Sequence, residues 1–241
     1  MPIFSNADLS AALDRIAERA ADVRRAYTPG AAPYYDDVAI PESAADFTLD
    51  PLQVAAPDDV YFVTVDERGN RHFTRDGSFA LRGGRLVDAA GHSVAGLSAG
   101  GILSELRVDQ VDEALGRLGN ASIDADGSFV YYRGTVDPRS GARESQRVVV
   151  GRVALARFPA GTRFESADGI EVAAPPGVSP QTGLPGDADF AVLAPMHRAH
   201  SRIDLDRSLI RLKEAYIAFD ALQAAEAAKV HLGKTTMDLL K

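Results

Sequence analysis

The sequence predicts an α+β protein whose N- and C-terminal helices pair as a coiled-coil-like stem, with a mainly antiparallel, all-β domain between them. Three observations predict it. The C-terminal segment carries a seam at Leu205, Leu209, Leu212, Tyr216, Phe219, Gln223, Glu226, Val230, Gly233, Met237 and Leu240, stepping by four and three without a slip. A shorter seam of the same spacing opens the chain at Leu9, Leu13, Ile16, Ala20, Val23 and Tyr27. Alternating steps of four and three keep every side chain on one stripe of a helix, the pattern of a coiled-coil partner. Between the seams, short apolar runs alternate with Gly, Asn and Asp turn signals, which is the texture of hairpin-connected strands.

The first helix starts after Asn6 or Asp8, either of which caps it, and stops before Thr28-Pro29-Gly30, which cannot continue it. A helix of about 20 residues is marginal alone in water, because nucleation is costly. Burial of Leu9, Leu13, Ile16 and Val23 would contribute on the order of 1.5 to 3 kcal/mol each. Residues 31–57 hold Pro33, Pro41, Pro51 and Pro57 with no sustained period and read as an extended connector. The expected division is therefore a helical assembly domain of residues 1–30 and 201–241, a connector of 31–57, and a β-rich domain of 58–200.

Within that β-rich span, Val60 to Val65 is apolar on both faces apart from Thr64, as in a buried strand. Glu67-Arg68-Gly69-Asn70 turns it back into Arg71 to Thr74. Asp76-Gly77 reads as a hairpin turn into Ser78 to Leu81, and Gly83-Gly84 as a second into Arg85 to Val87. The Asp-Gly-Ser-Phe word returns at Asp126 to Phe129, ahead of a strand from Val130 to Arg133. Arg147 to Phe158 is a valine-rich stretch with a bulge or bend expected at Gly151. Leu103 to Leu118 reads as one short helix of weak periodicity, and residues 159–200 as Pro- and Gly-punctuated loops and short strands.

Composition narrows the function. With 46% hydrophobic and 25% charged residues, the 241-residue chain has the make-up of a folded protein rather than a disordered tail. Without cysteine there are no disulfides, thiolate metal sites or cysteine nucleophiles. A net charge of -8, with no basic cluster interleaved with aromatics, argues against nucleic acid as a partner. No apolar run approaches the roughly 18 residues of a membrane span, so no integral membrane segment is expected. The charged first helix also differs from a cleavable signal peptide.

Several words mimic active sites. Gly96-Leu97-Ser98-Ala99-Gly100 matches a nucleophile elbow, but an elbow belongs to a parallel sheet with alternating helices, so a glycine-rich loop is the better reading. His197-x-x-His200 has metal-like spacing only on a helix, and Pro195 places it in a loop. Asp124-Ala125-Asp126-Gly127 lacks the remaining ligands of a calcium loop and reads as a turn. Asn120-Ala121-Ser122 is a glycosylation sequon only in a host that uses it. His72, His92 and His231 are scattered. No catalytic residue, cofactor or metal site is expected.

The run Leu52-Gln53-Val54-Ala55-Ala56-Pro57-Asp58-Asp59-Val60-Tyr61-Phe62-Val63, the word Phe73-Thr74-Arg75-Asp76-Gly77-Ser78-Phe79 and the stretch Gly84-Arg85-Leu86-Val87-Asp88-Ala89-Ala90-Gly91 resemble the bacterial flagellar basal-body rod and hook proteins. Gly151 to Phe158, Gly183-Leu184-Pro185-Gly186 and the opening Ser201-Arg202-Ile203-Asp204 of the last helix are similar to later family segments. The family-motif positions are Phe62, Thr74, Arg75, Asp76, Gly77 and Phe79. The chain departs from the family at Asp22 to Ala31, where only Val23 and the Thr28-x-Gly30 pattern match.

The resemblance implies a non-enzymatic subunit of the axial filament, with copies of itself and other rod or hook proteins as partners. It implies a basal-body, periplasm-spanning location reached without a cleavable signal peptide. The β portion is short for a hook subunit and fits a rod subunit better. Alternatives from other classes are a surface adhesin or carbohydrate-binding β module on a helical stalk and, least favoured, a serine hydrolase.

Overall fold

The computed structural model describes residues 6–39, 45–57, 59–97, 101–108, 121–136, 143–162, 164, 171–187 and 189–239. It is an α+β structure in which an N-terminal and a C-terminal helix flank, in sequence, a mostly antiparallel β-rich middle. The chain divides into two compact units. One comprises residues 1–26, 32–41 and 202–241; the other comprises 27–31 and 42–201. By this division residues 32–41 fall with the helices, and residue 31 and residues 42–57 with the strands.

In the helical unit, α1 (Asn6–Arg25) and α2 (Leu205–Leu239) pack against each other. Asp204 caps α2: its Oδ1 accepts the Arg207 backbone N–H at 3.1 Å, and its carbonyl accepts the first helical N–H, from Ser208, at 2.9 Å. A 3-10 turn at Asp36–Val38 lies beside them, with Val38 fully buried and its carbonyl accepting the Asp204 N–H at 2.9 Å.

In the other unit, the strands run β1 (Asp46–Phe47), β2 (Val54–Ala55), β3 (Val60–Val65), β4 (Arg71–Thr74), β5 (Ala80–Arg82), β6 (Arg85–Val87), β7 (Ser93–Leu97) and β8 (Leu103–Glu105). They continue as β9 (Ala121–Ile123), β10 (Ser128–Val136), β11 (Arg143–Arg152), β12 (Leu155–Arg157), β13 (Glu171–Val172), β14 (Gln181–Gly183), β15 (Ala194–Pro195) and β16 (His197–Arg198). The largest sheet follows the order β13-β4-β3-β7-β6-β5, with β12 also pairing β3 and β14, and β8 pairing β7. A second sheet is β11-β10-β9, and β1-β16 and β2-β15 form two short ribbons. Central strand β3 explains its own sequence. Val60 and Phe62 enter a core with Phe79, Leu86, Val94, Phe129 and Leu155, while Val63 points to a second cluster with Phe73, Ala95, Ala154 and Ala156.

Local expectations fare unevenly. Gly83-Gly84 forms the two-residue loop of the β5-β6 hairpin, with φ of 57° and 79°. The β10-β11 register shifts at Phe129/Val130, opposite the expected irregularity at Gly151. The two Asp-Gly-Ser-Phe words, by contrast, do different things. Asp126-Gly127 is a true hairpin turn between β9 and β10, with Gly127 at φ +78°. Asp76-Gly77 is not, since β4 pairs with β3 and β13 while β5 pairs with β6. Leu103–Glu105 is a strand rather than the start of a helix, and residues 109–118 of that expected helix lie outside the described residues. The weak helical period there loses to an edge position beside β7.

Candidate functional site

Both helices bury a heptad stripe, rotated by one position from the sequence seam. In α2 the least exposed residues are Leu205, Ser208, Leu212, Ala215, Phe219, Leu222 and Glu226. Leu205, Leu212, Phe219 and Glu226 belong to the expected seam, but Ser208 and Ala215 replace Leu209 and Tyr216. In α1, Leu9, Ile16 and Val23 are at least half-buried as expected, whereas Ala12 rather than Leu13 is buried, and Ala26 rather than Tyr27 just beyond the helix. Small residues let two helix backbones approach closely, so packing selects Ala12, Ser208 and Ala215 where hydrophobicity alone selects their larger neighbours. The consequence is a set of exposed apolar side chains: Leu13 at 51%, Leu209 at 46%, Tyr216 at 50% and Val230 at 53%, with Ile210 and Ile217 beside them. Of the other expected seam members, Met237 is in the helix and Leu240 lies outside the described residues.

Charged side chains clasp the segment 32–41 to the helices. Asp37 Oδ1 accepts from Arg19 at 2.8 Å, and its Oδ2 lies 2.8 Å from Arg211 Nε, so one carboxylate links α1 and α2. The Arg19 guanidinium stacks over the Tyr35 ring, 4.0 Å from its centroid. The hydrogen bond from Arg19 holds the Asp37 carboxyl below its ordinary value of 3.8. Deeper in, Asp22 is fully buried and accepts from Arg25 at 2.7 Å and from the Tyr34 backbone N–H at 3.0 Å. Burial nevertheless pushes its carboxyl up, outweighing those bonds.

A depressed acid stabilises the fold above its unfolded pKa and ceases to do so as pH falls through its folded pKa. The Asp37 clasp should thus be complete above pH 3.8 and be lost in more acidic solution. Acid titration followed by the helical circular dichroism signal should show this loss, and Asp37→Asn should remove that part of the pH dependence.

Phe62, Thr74, Arg75, Asp76, Gly77 and Phe79 lie in and beside the core of the β-rich unit. Phe62 and Phe79 pack edge to face at 5.1 Å in the core. Thr74 Oγ1 accepts the Asp76 N–H, and Asp76 Oδ1 accepts the Ser78 N–H at 2.9 Å, fixing the path between β4 and β5. Gly77 is held so tightly against β2 that an added Cβ would stand 1.8 Å from the Val54 carbonyl oxygen. The backbone of Arg75, itself buried, lies against Gly30 in the same way, 2.5 Å from where a Cβ would be.

The active-site mimics fall partly within the described residues. Ser98 lies outside the described residues. His197 pairs with the Pro195 carbonyl at 2.7 Å and His200 with Asp46 at 2.9 Å, each by itself.

One cluster escaped the sequence. His72, His92 and Glu171, which no motif spacing links, offer ligand atoms within 4.8 Å of one another. The sheet register brings them together: Thr64 of β3 pairs with His72 of β4 and Val94 of β7, while Glu171 of β13 pairs with Thr74. Residues two apart share a face, so His72 lies beside Glu171, and His92 precedes Val94 on that face. The rings of His72 and His92 stack at 4.7 Å. Nearby Asp88 is buried, and burial, followed by the Glu171 carboxylate, pushes its carboxyl up to about 7.

No helix among the described residues is long and apolar enough to cross a membrane. Comparison with known proteins finds no family model that matches this chain and no curated protein significantly similar to it in sequence.

Proposed function

We propose that the protein is a structural subunit of the bacterial flagellar basal-body rod, which polymerises through its terminal helices and transmits torque along the axial filament. The observation that carries this reading is the exposed apolar set on the helix pair, Leu13, Leu209, Ile210, Tyr216 and Ile217, joined in one chain to the Phe73 to Phe79 word. Exposed apolar side chains gathered on a helix pair mark an interaction surface, and a repeated head-to-tail contact that does not close would cover them while building a filament. In this reading the two helices form the coiled-coil-like stem that stacks on neighbouring copies and on other rod or hook subunits, and the β-rich unit is an outer decoration. The short β portion favours the rod over the hook.

Deleting the gene and imaging the cell envelope by electron microscopy tests the proposal. Truncated basal bodies are the expected result. Complete, motile flagella in the deletion strain would overturn it, and a small soluble oligomer that retains glycans would favour the stalked adhesin instead.

A further inference from the structure

We propose that His72, His92, Glu171 and Asp88 form a binding site for one divalent transition-metal ion of the zinc type, built into the face of the large sheet. Glu171, His72 and Asp88 are each held at one side-chain atom, and each brings another side-chain atom within 4.0 Å of a fellow member of the cluster. Glu171 Oε1 accepts the Thr64 hydroxyl at 2.9 Å, which turns Oε2 toward the histidines. His72 Nε2 lies 3.5 Å from the Asp66 carboxylate, which presents its Nδ1 to Glu171 Oε2 at 3.8 Å. Asp88 Oδ1 accepts the His92 backbone N–H at 2.9 Å, leaving Oδ2 4.0 Å from His92 Nδ1. His92 Nδ1 itself stands 2.7 Å from Glu171 Oε2. Outer carboxylates and hydroxyls that orient ligands in this way are the usual supporting shell of a metal centre.

Two further facts point to a ligand rather than to a self-contained ion-pair cluster. Asp88 Oδ2 and His92 Nδ1 are buried atoms that make no well-directed hydrogen bond, although His92 Nδ1 forms a close ion-pair contact with Glu171. Such atoms are costly to leave unsatisfied, and a cation between them would satisfy both. Ligand atoms around a tetrahedral zinc ion stand about 3.3 Å apart, within the spread seen here, so small side-chain rotations suffice. Two imidazoles and two carboxylates suit zinc and its first-row neighbours better than calcium or magnesium, which prefer oxygen alone. The His72 and His92 side chains are 27% and 26% exposed, which leaves an entry path, whereas Glu171 and Asp88 are 7% and 5% exposed. Bound metal would tie β13 and the turn before β7 to β4 and stabilise the β-rich unit by mass action.

The full-length chain, freed of metal with a chelator and dialysed, would be titrated with Zn²⁺ by calorimetry and with Co²⁺ by visible absorption. The expected result is one ion per chain, a micromolar or tighter Kd, and the cobalt bands of a four-coordinate site. In histidine side-chain NMR spectra, zinc should shift His72 and His92 and spare His197, His200 and His231. His92→Ala and Glu171→Gln should each weaken binding at least about a hundredfold, and Thr64→Val about tenfold. The double variant His197→Ala/His200→Ala should bind as the parent does. Absence of stoichiometric uptake by the unaltered protein, or shifts confined to His197 and His200, would overturn the proposal, and neither readout depends on a variant folding.

Discussion

Placing glutamate at both Leu209 and Tyr216 should abolish polymerisation while leaving the subunit folded. Both side chains are about half exposed in the subunit, at 46% and 50%, and neither lies on the stripe that the helix pair buries. Surface substitutions of this kind usually change stability by less than about 0.5 kcal/mol. In the proposed assembly the same positions would become buried anchors, whose loss would cost about 2 kcal/mol or more each. Two such losses amount to roughly a thousandfold in affinity, since each 1.4 kcal/mol is a factor of about ten. Sedimentation or negative-stain imaging should therefore show no polymer, with an unchanged thermal melt. Ala215→Glu should behave oppositely. Ala215 is 8% exposed, so a carboxylate there must be buried between the helices, and helix content itself should fall. If the Leu209/Tyr216 variant assembles like the parent, the exposed face plays no part in polymerisation and the rod proposal loses its physical basis.

Gly77→Ala should destabilise the β-rich unit far more than a methyl added at an open glycine of that unit such as Gly69. The new Cβ would meet the Val54 carbonyl oxygen at 1.8 Å and the Phe62 ring at 3.0 Å. The first of these is backbone, and it cannot rotate away. The Gly77 carbonyl also accepts the Val54 N–H at 3.1 Å, so separating the two segments breaks a bond as well as relieving a clash. Overpacking of a well-filled core costs about 1–3 kcal/mol and occasionally more. With backbone on both sides of the contact, about 3 kcal/mol or more is expected. Gly69→Ala provides the comparison. Nothing lies within 4 Å of its added Cβ, and only its φ of +85° resists substitution, at a cost of about 1–2 kcal/mol. Denaturant melts of both variants measure the difference, and equal losses would show that the close approach at Gly77 is not limiting.

The proposed zinc-type site and the proposed assembly face were legible in the sequence to very different degrees. Seam spacing is local information: Leu205, Leu212 and Phe219 lie on one stripe whatever surrounds them, because 3.6 residues make a turn. The spacing does not say which of two adjacent columns faces the partner. Ser208 or Leu209, and Ala215 or Tyr216, both continue the heptad, and the choice depends on how closely the second backbone approaches. The cluster of His72, His92 and Glu171 depends entirely on which strands become neighbours, and the strand order β13-β4-β3-β7 is non-local. One faint signal was present, in that His72 and Glu171 both interrupt otherwise apolar or strand-forming surroundings.

By itself the sequence determined a helix at each end, buried strand β3, the Gly83-Gly84 hairpin, and the irregularity opposite Gly151. These follow from side-chain periodicity and from the backbone freedom of glycine, which act over a few residues. Only the tertiary structure decided that Asp76-Gly77 is a tight crossing under β2 while its copy at Asp126-Gly127 is a hairpin. It alone decided that Asp37 clasps both helices and that small rather than large residues face inward between them. Those outcomes depend on excluded volume and charge pairing between segments far apart in the chain, and no local pattern encodes which segments will meet.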